Sequence, residues 1–449
     1  MKTKQSFFSM VCVLAIPVAL QSMLQSSFSI VDQIMIGQLG SVPISAVGFA
    51  GKFFSIFNVI VSAIGAVAGI MISQYLGQNN KAEVRRSFCL NLWIALGLGV
   101  LVTALGILFP HALMSLYTKD PSVRKIAAEY LTVISSSALP LAAATMLSTY
   151  FRCVEKPGIP MISTIASAAL NTILNYFLIF GVLHFPGMGA KGAGIATAIS
   201  QWTNFLIIFF LFLYQKPQEF TDKTKHSHPS FSWGQYAAML FPILVCEVAW
   251  SLGENVYAAI YGHMSTGESA AMNLTGPVQG LVIGALCGLS QAAGVIVGKR
   301  LGNGEFDDAY HASKKLMIYG AIGSVILSVL VVLTAPFYVN IYQVEPSVKN
   351  ITCQILYAYA LVAPFKVLNM ILGGGIIRSG GKTKYVMFID IIGTWCFGVP
   401  LGLLSAFVFH LPIASVYFFL SLEECVRFLI SLAVFHRRHW MQQLTTKAT

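Results

Sequence analysis

Apolar residues run along this chain in long unbroken blocks separated by short polar stretches, not in the one-on, one-off alternation of a half-buried strand. A helix needs about 20 apolar residues to cross a hydrocarbon core about 30 Å thick. Twelve blocks reach that length: 7–36, 44–76, 88–110, 126–150, 158–183, 192–214, 233–262, 270–301, 312–338, 350–376, 384–409 and 412–436. Six lie on each side of the one long polar break, Gln215 to Ser232. The pattern predicts an all-α polytopic membrane protein with twelve transmembrane helices.

The two sets of six repeat each other. At an offset of 225 residues, Pro17 meets Pro242, Gly37 meets Gly262, Leu76-Gly77 meets Leu301-Gly302, and Asp120-Pro-Ser-Val meets Glu345-Pro-Ser-Val. One residue of drift then brings Arg152, Lys156 and Met161 onto Arg378, Lys382 and Met387. Because six is even, both repeats start from the same side of the membrane, as in transporters built from parallel halves that rock about a shared site. The expected organisation is an N-lobe at 1–214, a cytoplasmic linker at 215–232, a C-lobe at 233–436 and a cytoplasmic tail at 437–449.

Composition agrees with the pattern, since 56% of residues are apolar and 10% charged, against about 25% charged in soluble domains. Charge adds an orientation. Of the 28 Lys and Arg, Lys119, Arg124, Lys125, Lys191 and Lys349 fall in one set of loops, Lys52, Lys366 and Arg427 well inside blocks, and the rest in the other loops, at the block ends that adjoin them and in the tails. The positive-inside rule then places both termini in the cytoplasm of a plasma-membrane protein. The net charge of +11 thus reads as topology and not as nucleic-acid binding. Eight scattered cysteines without CxxC or Cys/His spacing argue against disulfides and zinc. The basic start, Met1 to Gln5, precedes an apolar stretch too long for a signal peptide and is read as leading into a retained span. Gly380-Gly-Lys-Thr383 imitates the end of a phosphate-binding loop, but Ile376 stands where its first glycine belongs.

Polar residues at membrane depth carry the chemistry. Gln21, Gln25, Ser29 and Asp32 share one stripe of the first span. A carboxylate near mid-helix costs about 2.5–3.5 kcal/mol on insertion scales, so such residues face cavities and mark ion paths. Asn171 and Asn175 lie one turn apart in span 5, and Thr197 follows Gly192-Ala-Gly194 in span 6. Their oxygens suit the shell of a hard cation, though the same residues also serve as interhelical hydrogen-bond partners. In the second repeat Tyr257 stands in place of Asp32, while Glu247, Ser251 and Glu254 form a stripe whose equivalents are Ser22, Ser26 and Ser29. Glu247 and Glu254 are expected to meet a cationic substrate or a proton, or to pair with Lys366 or another buried base. Asp390 is a further candidate for the substrate cleft, with Gln25 and Ser251. Glu423, Glu424 and Arg427 contain an i,i+4 pair that predicts a structural salt bridge.

Taken in order, Val31-Asp-Gln-Ile-Met-Ile-Gly37, Gln74-Tyr-Leu-Gly77, Asn171-Thr-Ile-Leu-Asn175, Gly187-Met-Gly-Ala-Lys-Gly-Ala-Gly-Ile-Ala-Thr197 and Arg378-Ser-Gly-Gly-Lys-Thr383 resemble the multidrug and toxic compound extrusion (MATE) family, of the bacterial NorM/DinF kind. The resemblance covers nearly the whole chain. It implies a V-shaped pair of six-helix lobes that export organic, often cationic or amphipathic, compounds in exchange for Na⁺ or H⁺. It also implies a cation site at Asp32, Asn171, Asn175 and Thr197, with Na⁺ held there if sodium is the coupling ion and no other cofactor. Some members have a carboxylate where this chain has Asn175. In others an acid of span 7 falls where this chain has Trp250, one turn after Glu247 and one before Glu254. Small-molecule substrate and membrane lipid are the expected partners, and a monomer the expected working unit. The alternatives are a lipid-linked oligosaccharide flippase of the same superfamily, whose cleft calls for more basic residues, a membrane enzyme, for which paired catalytic motifs are lacking, and a receptor, which twelve spans in two repeats fit poorly.

Overall fold

A computed structural model describes residues 6–181, 187–221, 233–264, 266–342 and 345–444. Met1–Gln5, the linker from 222 to 232 and the tail from 445 onward lie outside the described residues. The helices are α1 (Phe7–Gly37), α2 (Ser41–Gly77), α3 (Lys81–Leu108), α4 (Pro110–Ser115), α5 (Pro121–Ser135), α6 (Ala138–Cys153), α7 (Gly158–Phe180) and α8 (Gly189–Gln215). They continue with α9 (Gln218–Thr221), α10 (Trp233–Met264), α11 (Thr266–Gly302), α12 (Phe306–Asn340), α13 (Pro346–Ile377), α14 (Thr383–Val408), α15 (Ile413–Ser421) and α16 (Glu423–His436). Among the described residues ten helices are long and apolar enough to cross a membrane, or eleven if α5 and α6, bent by 45°, are one span. The twelfth block of the sequence is α15 and α16, separated at Leu422.

Local chemistry sets several of these ends. Asn80 caps α3 by accepting from the Glu83 N–H at 3.2 Å, and Asp120 caps α5 by accepting from the Ser122 N–H at 2.8 Å. Each occupies a donor that a helix start leaves without an intrahelical partner. Pro121 and Pro346 open α5 and α13, where a missing N–H costs nothing. The last turns of α13, Met370–Ile377, are wound as π-helix. Ser290 of α11 donates to the Met370 carbonyl at 2.7 Å, supplying a partner at the widened turn. A Cβ at Gly375 would sit 2.5 Å from the Ser290 carbonyl oxygen, so glycine permits that approach.

The chain forms two compact units. One comprises Leu20–Ile72 with Asn80–His228. Its helices α3, α5, α6, α7 and α8 pack on one another, and α9 is fastened to them. Phe220 packs against Phe88, Tyr150 and Phe212, and the Tyr150 hydroxyl donates to Glu219 at 2.9 Å.

The other unit comprises Met1–Ala19, Ser73–Asn79 and Pro229–Thr449. Its core includes Tyr257, Ile260, Leu356, Tyr359 and Val416. Here the end of α2 crosses the end of α11 so closely that a Cβ at Gly77 would lie 2.0 Å from the Lys299 carbonyl oxygen. A Cβ at Gly302 would lie 2.0 Å from the Gln74 carbonyl oxygen. Gln74 and Lys299, like Gly77 and Gly302, are 225 residues apart, so the contact is reciprocal between repeat-equivalent positions. The C-terminal strand of chain runs over this crossing. Gln74 Nε2 donates to the Ser379 carbonyl at 2.7 Å, and Gln74 Oε1 accepts from the Leu444 N–H at 2.7 Å. Gln443 Nε2 donates to the Gly302 carbonyl at 2.6 Å, while Trp440 is fully buried against Phe435.

Candidate functional site

Asp32 lies on α1 beyond Pro17, half-buried, and the helices that face it bring three expected partners to it. Asn175 is 1% exposed and its Nδ2 donates to the Asp32 carboxylate. With the Asn171 amide turned so that both its ends are satisfied, its nitrogen donates to both Asp32 oxygens at 3.0 Å and its oxygen accepts from the Thr197 N–H at 3.3 Å. Thr197 Oγ1 donates one turn back to the Ala193 carbonyl at 3.0 Å. The spacing of four along α7 puts Asn171 and Asn175 on one face, and Gly192 and Gly194 let α8 approach. A Cβ at Gly192 would be 2.4 Å from the Leu178 carbonyl oxygen, and one at Gly194 3.2 Å from the Tyr130 ring. Tyr130 of α5, whose buried ring lies against Gly194, is a neighbour of this cluster that no sequence pattern singles out. Its apolar surroundings hide it among the core aromatics; only the neighbouring glycines hint that a ring is accommodated there.

This cluster borders a cavity of about 460 Å³ lined wholly by the unit that contains it. Gln25 and Ser29 of the α1 stripe line it, and of its lining residues only Phe28, Leu141, Ala144 and Ala168 are apolar. Only Asp32 and Arg152 carry formal charge. At the Arg152 end, Gln21 Nε2 donates to Thr164 Oγ1 at 2.9 Å, and an Arg152 nitrogen donates to Gln21 Oε1 at 3.2 Å. The amide oxygens of Gln201 and Asn204, both in the lining, are buried without a protein hydrogen-bond partner.

The second-repeat candidates are dispersed. Glu254 lines a smaller cavity of about 60 Å³ with Tyr257, Lys366, Tyr417, Glu423 and Glu424. Glu247 instead pairs with Arg378 at 3.3 Å, which matches the expected alternative of a buried base, though the base is Arg378 and not Lys366. Ser251 is exposed, and its carbonyl accepts from Asn255 Nδ2 at 2.7 Å. Asp390 is ion-paired with Arg427 and accepts from the Cys246 thiol. Arg427 also pairs with Glu424 at 3.5 Å, an i,i+3 pair. Glu423, the expected i,i+4 partner, accepts instead from the Tyr257 hydroxyl at 2.6 Å. The expected salt bridge is thus present but runs through Glu424; spacing along one helix names neighbours, whereas Tyr257 and Asp390 reach α16 from other helices.

Among the described residues no group of three or more His, Cys, Asp and Glu could hold a metal ion. A single carboxylate with neutral amide and hydroxyl groups is the donor set of an exchangeable hard cation, not of a tightly held transition metal.

Comparison with known proteins agrees with this architecture. The MatE family model matches residues 17–177 and again 242–404, so the two matches begin at the repeat-equivalent prolines Pro17 and Pro242. The chain is 25% identical over 417 residues to a probable multidrug resistance protein NorM of Agrobacterium fabrum, covering 90% of this chain and 88% of that one. It is also 25% identical over 409 residues to multidrug and toxin extrusion protein 1 of Homo sapiens, covering 90% of this chain and 70% of that one. Among solved structures, an outward-facing multidrug resistance MATE family transporter of the MOP superfamily superposes with a TM-score of 0.88 at 16% identity, covering 97% and 96% of the two chains. A variant of the Vibrio cholerae MATE transporter VcmN gives 0.88 at 18% identity, covering 98% and 99%. Matched once on each repeat, the chain belongs to the MatE family: it is an all-helical, multi-pass membrane transporter and not an enzyme.

Proposed function

We propose that this transporter is a secondary antiporter that exports organic compounds in exchange for Na⁺ or H⁺ taken up at Asp32, by alternating access between lobes at 1–214 and 233–436. The observation that carries the reading is the convergence of Asn171, Asn175 and Thr197 on Asp32 at the edge of a cavity of about 460 Å³. That volume is in the range of small-molecule sites.

The shell can serve two states. As it stands, amide nitrogens donate to the carboxylate, and Asn175 Oδ1 is buried without a partner. Rotation of an amide exchanges its nitrogen for its oxygen, so the residues that stabilise the bare carboxylate can also coordinate a cation. A proton achieves the same neutralisation by making the carboxyl a donor to an amide oxygen. Either ion favours one packing of the helices around Asp32, and substrate in the cavity favours another. Exchange follows from that differential affinity. The distribution of Lys and Arg supports cytoplasmic termini in this scheme.

The test is dye export from proteoliposomes with Na⁺ and pH gradients imposed separately. Asp32→Asn is expected to reduce gradient-driven export to background while the purified protein keeps its thermal stability. Export by the variant at the wild-type rate would remove Asp32 from the mechanism.

A further inference from the structure

The segment that follows α16 ties the two repeats together at the crossing of α2 with α11. Its root belongs to the second repeat. Trp440 is fully buried, its Nε1 donates to the Phe435 carbonyl at 3.2 Å, and its ring stacks on that of Phe435. Arg438 lies over the Tyr310 ring at 4.2 Å and pairs with Asp307 at 2.8 Å. Residues 442–444 then reach the first repeat. Gln74 Nε2 of α2 donates to the Gln442 carbonyl at 3.2 Å, Gln74 Oε1 accepts from the Leu444 N–H at 2.7 Å, and Gln78 Nε2 donates to the Leu444 carbonyl at 2.9 Å. Gln443 Nε2, donating to the Gly302 carbonyl at 2.6 Å, fastens the same tip to the end of α11. The equivalent segment of the first repeat folds onto its own helices. At the offset of 226, residues 442–444 correspond to Lys216, Pro217 and Gln218, which lead into α9. There Gln218 accepts from Lys81 at 3.2 Å, and Phe220 packs on Phe88, Tyr150 and Phe212. The loop beneath the segment differs in step: a Cβ at Gly380 would lie 1.9 Å from the Trp440 carbonyl oxygen, whereas the equivalent residue of the first repeat is Val154. The Gly380-Gly-Lys-Thr383 run that imitates a phosphate-binding loop thus serves to let this backbone pass.

From this we infer that residues 442–444 are a detachable latch, which holds the ends of α2 and α11 together in one state of the transporter and lets α2 go in the state that takes up substrate from the cytoplasm. The inference rests on the reading of the chain as an alternating-access exporter with these helix ends on the cytoplasmic side. When lobes at 1–214 and 233–436 part at this end, α2 moves with the first and α11 with the second. Every bond between residues 442–444 and α2 then breaks, while the root, bonded to Phe435, Tyr310 and Asp307 of the second repeat, stays in place. The chemistry suits repeated release. Three hydrogen bonds between uncharged groups hold α2 to the tip, and water replaces such partners at modest cost. Each bond biases an equilibrium by about threefold to tenfold, enough to set which state prevails without preventing exchange between them. A substrate that binds only the released state has its apparent affinity reduced by the fraction of protein that is latched. The latch therefore sets the apparent KM for substrate presented from the cytoplasm.

The experiment uses full-length protein in proteoliposomes, with a dye presented on the cytoplasmic face and an imposed ion gradient. Gln78→Cys/Leu444→Cys, joined by a short bis-methanethiosulfonate crosslinker, is expected to lose transport to background and to regain it when dithiothreitol cleaves the link; wild type and each single variant, treated alike, should keep theirs. Recovery on reduction shows that the double variant is folded. Without any crosslink, Gln78→Ala should lower the apparent KM about threefold and Gln74→Ala, which removes two of the three bonds, about tenfold, each with faster hydrogen exchange at the Leu444 amide. Undiminished transport in the crosslinked double variant, or an unchanged or raised KM in Gln74→Ala despite faster exchange at Leu444, would overturn the latch and leave the segment as a static brace. Failure of the underlying reading looks different: Asp32→Asn would then transport as wild type does while the crosslink still blocks. Loss of transport in Asp32→Asn together with free transport by the crosslinked protein is failure of the latch alone.

Discussion

Around Asp32 the first repeat gathers neutral amides and hydroxyls, and the equivalent positions of the second repeat hold a different chemistry. Asp32 corresponds to Tyr257 and Thr197 to Glu423, so in the second repeat the carboxylate stands on the other helix, where Glu423 accepts from the Tyr257 hydroxyl at 2.6 Å. Asn171 and Asn175 correspond to Phe397 and Leu401, which cannot coordinate an ion. Thr164 and Gln201 correspond to Asp390 and Arg427, which pair with each other. The first repeat keeps groups that can exchange partners beside a large cavity. In the second, Asp390 and Glu424 pair with Arg427, and Glu247 pairs with Arg378. Duplication gave one frame, in which the two copies place their charges on different side chains.

The largest effect that would break this comparison is at the exchanged carboxylate. Asp32→Tyr, which copies the second repeat, should abolish ion-driven export, and the double variant Asp32→Tyr/Thr197→Glu should restore little of it, because a Tyr–Glu pair leaves the amides without their shared carboxylate. Full recovery in the proteoliposome assay would mean that the two arrangements are interchangeable. Next in size, Asp390→Asn should destabilise the protein by about 3–5 kcal/mol, since it leaves Arg427 with one carboxylate fewer in a buried network. The equivalent Thr164→Val should cost only about 1 kcal/mol, for one neutral hydrogen bond. Thermal unfolding in detergent compares the two, and equal losses would contradict the division of roles. Smaller again, Gly77→Ala and Gly302→Ala should each cost about 1–3 kcal/mol by overpacking against a backbone carbonyl, and by similar amounts, because each meets the same group across the same contact. A large difference between them would show that the reciprocity is not energetic. The smallest expected change is from Leu401→Asn, which should leave ion dependence as it is, whereas Asn175→Leu should weaken it.

Much of this was legible before any coordinates. The twelve apolar blocks correspond to helical regions because membrane depth forces backbone polar groups to pair within the segment; Asp32, Asn171, Asn175 and Thr197 stood out as polar residues within spans, and the family resemblance joined them into one site. What escaped was of two kinds. Tyr130 and Arg152 sit beside the site on helices whose sequence gave no reason to pair them with α1; Arg152 reads as the start of a loop, yet α6 runs through it to Cys153. The repeat offset carried a signal for Arg152 through its match to Arg378. Partners of Asp390 and Glu423 lie on helices more than thirty residues away or in the preceding half of the repeat, and no local period reports such pairs. The π-wound turns at Met370–Ile377 were equally silent, because three consecutive glycines permit many backbone paths and tertiary contacts select one.

The crossing of α2 with α11 bears on how such a chain arises. A contact in which Gly77 meets the carbonyl of Lys299 while Gly302 meets that of Gln74 is self-complementary, as the interface of a two-fold symmetric dimer is. One glycine in an ancestral half-length protein satisfies both sides of such an interface. Fusion of two copies therefore required no new complementarity at this point, and after fusion a substitution reached only one of the two contacts. The two copies were from then on free to accept different mutations, while the shared crossing stayed under the same steric constraint from both sides.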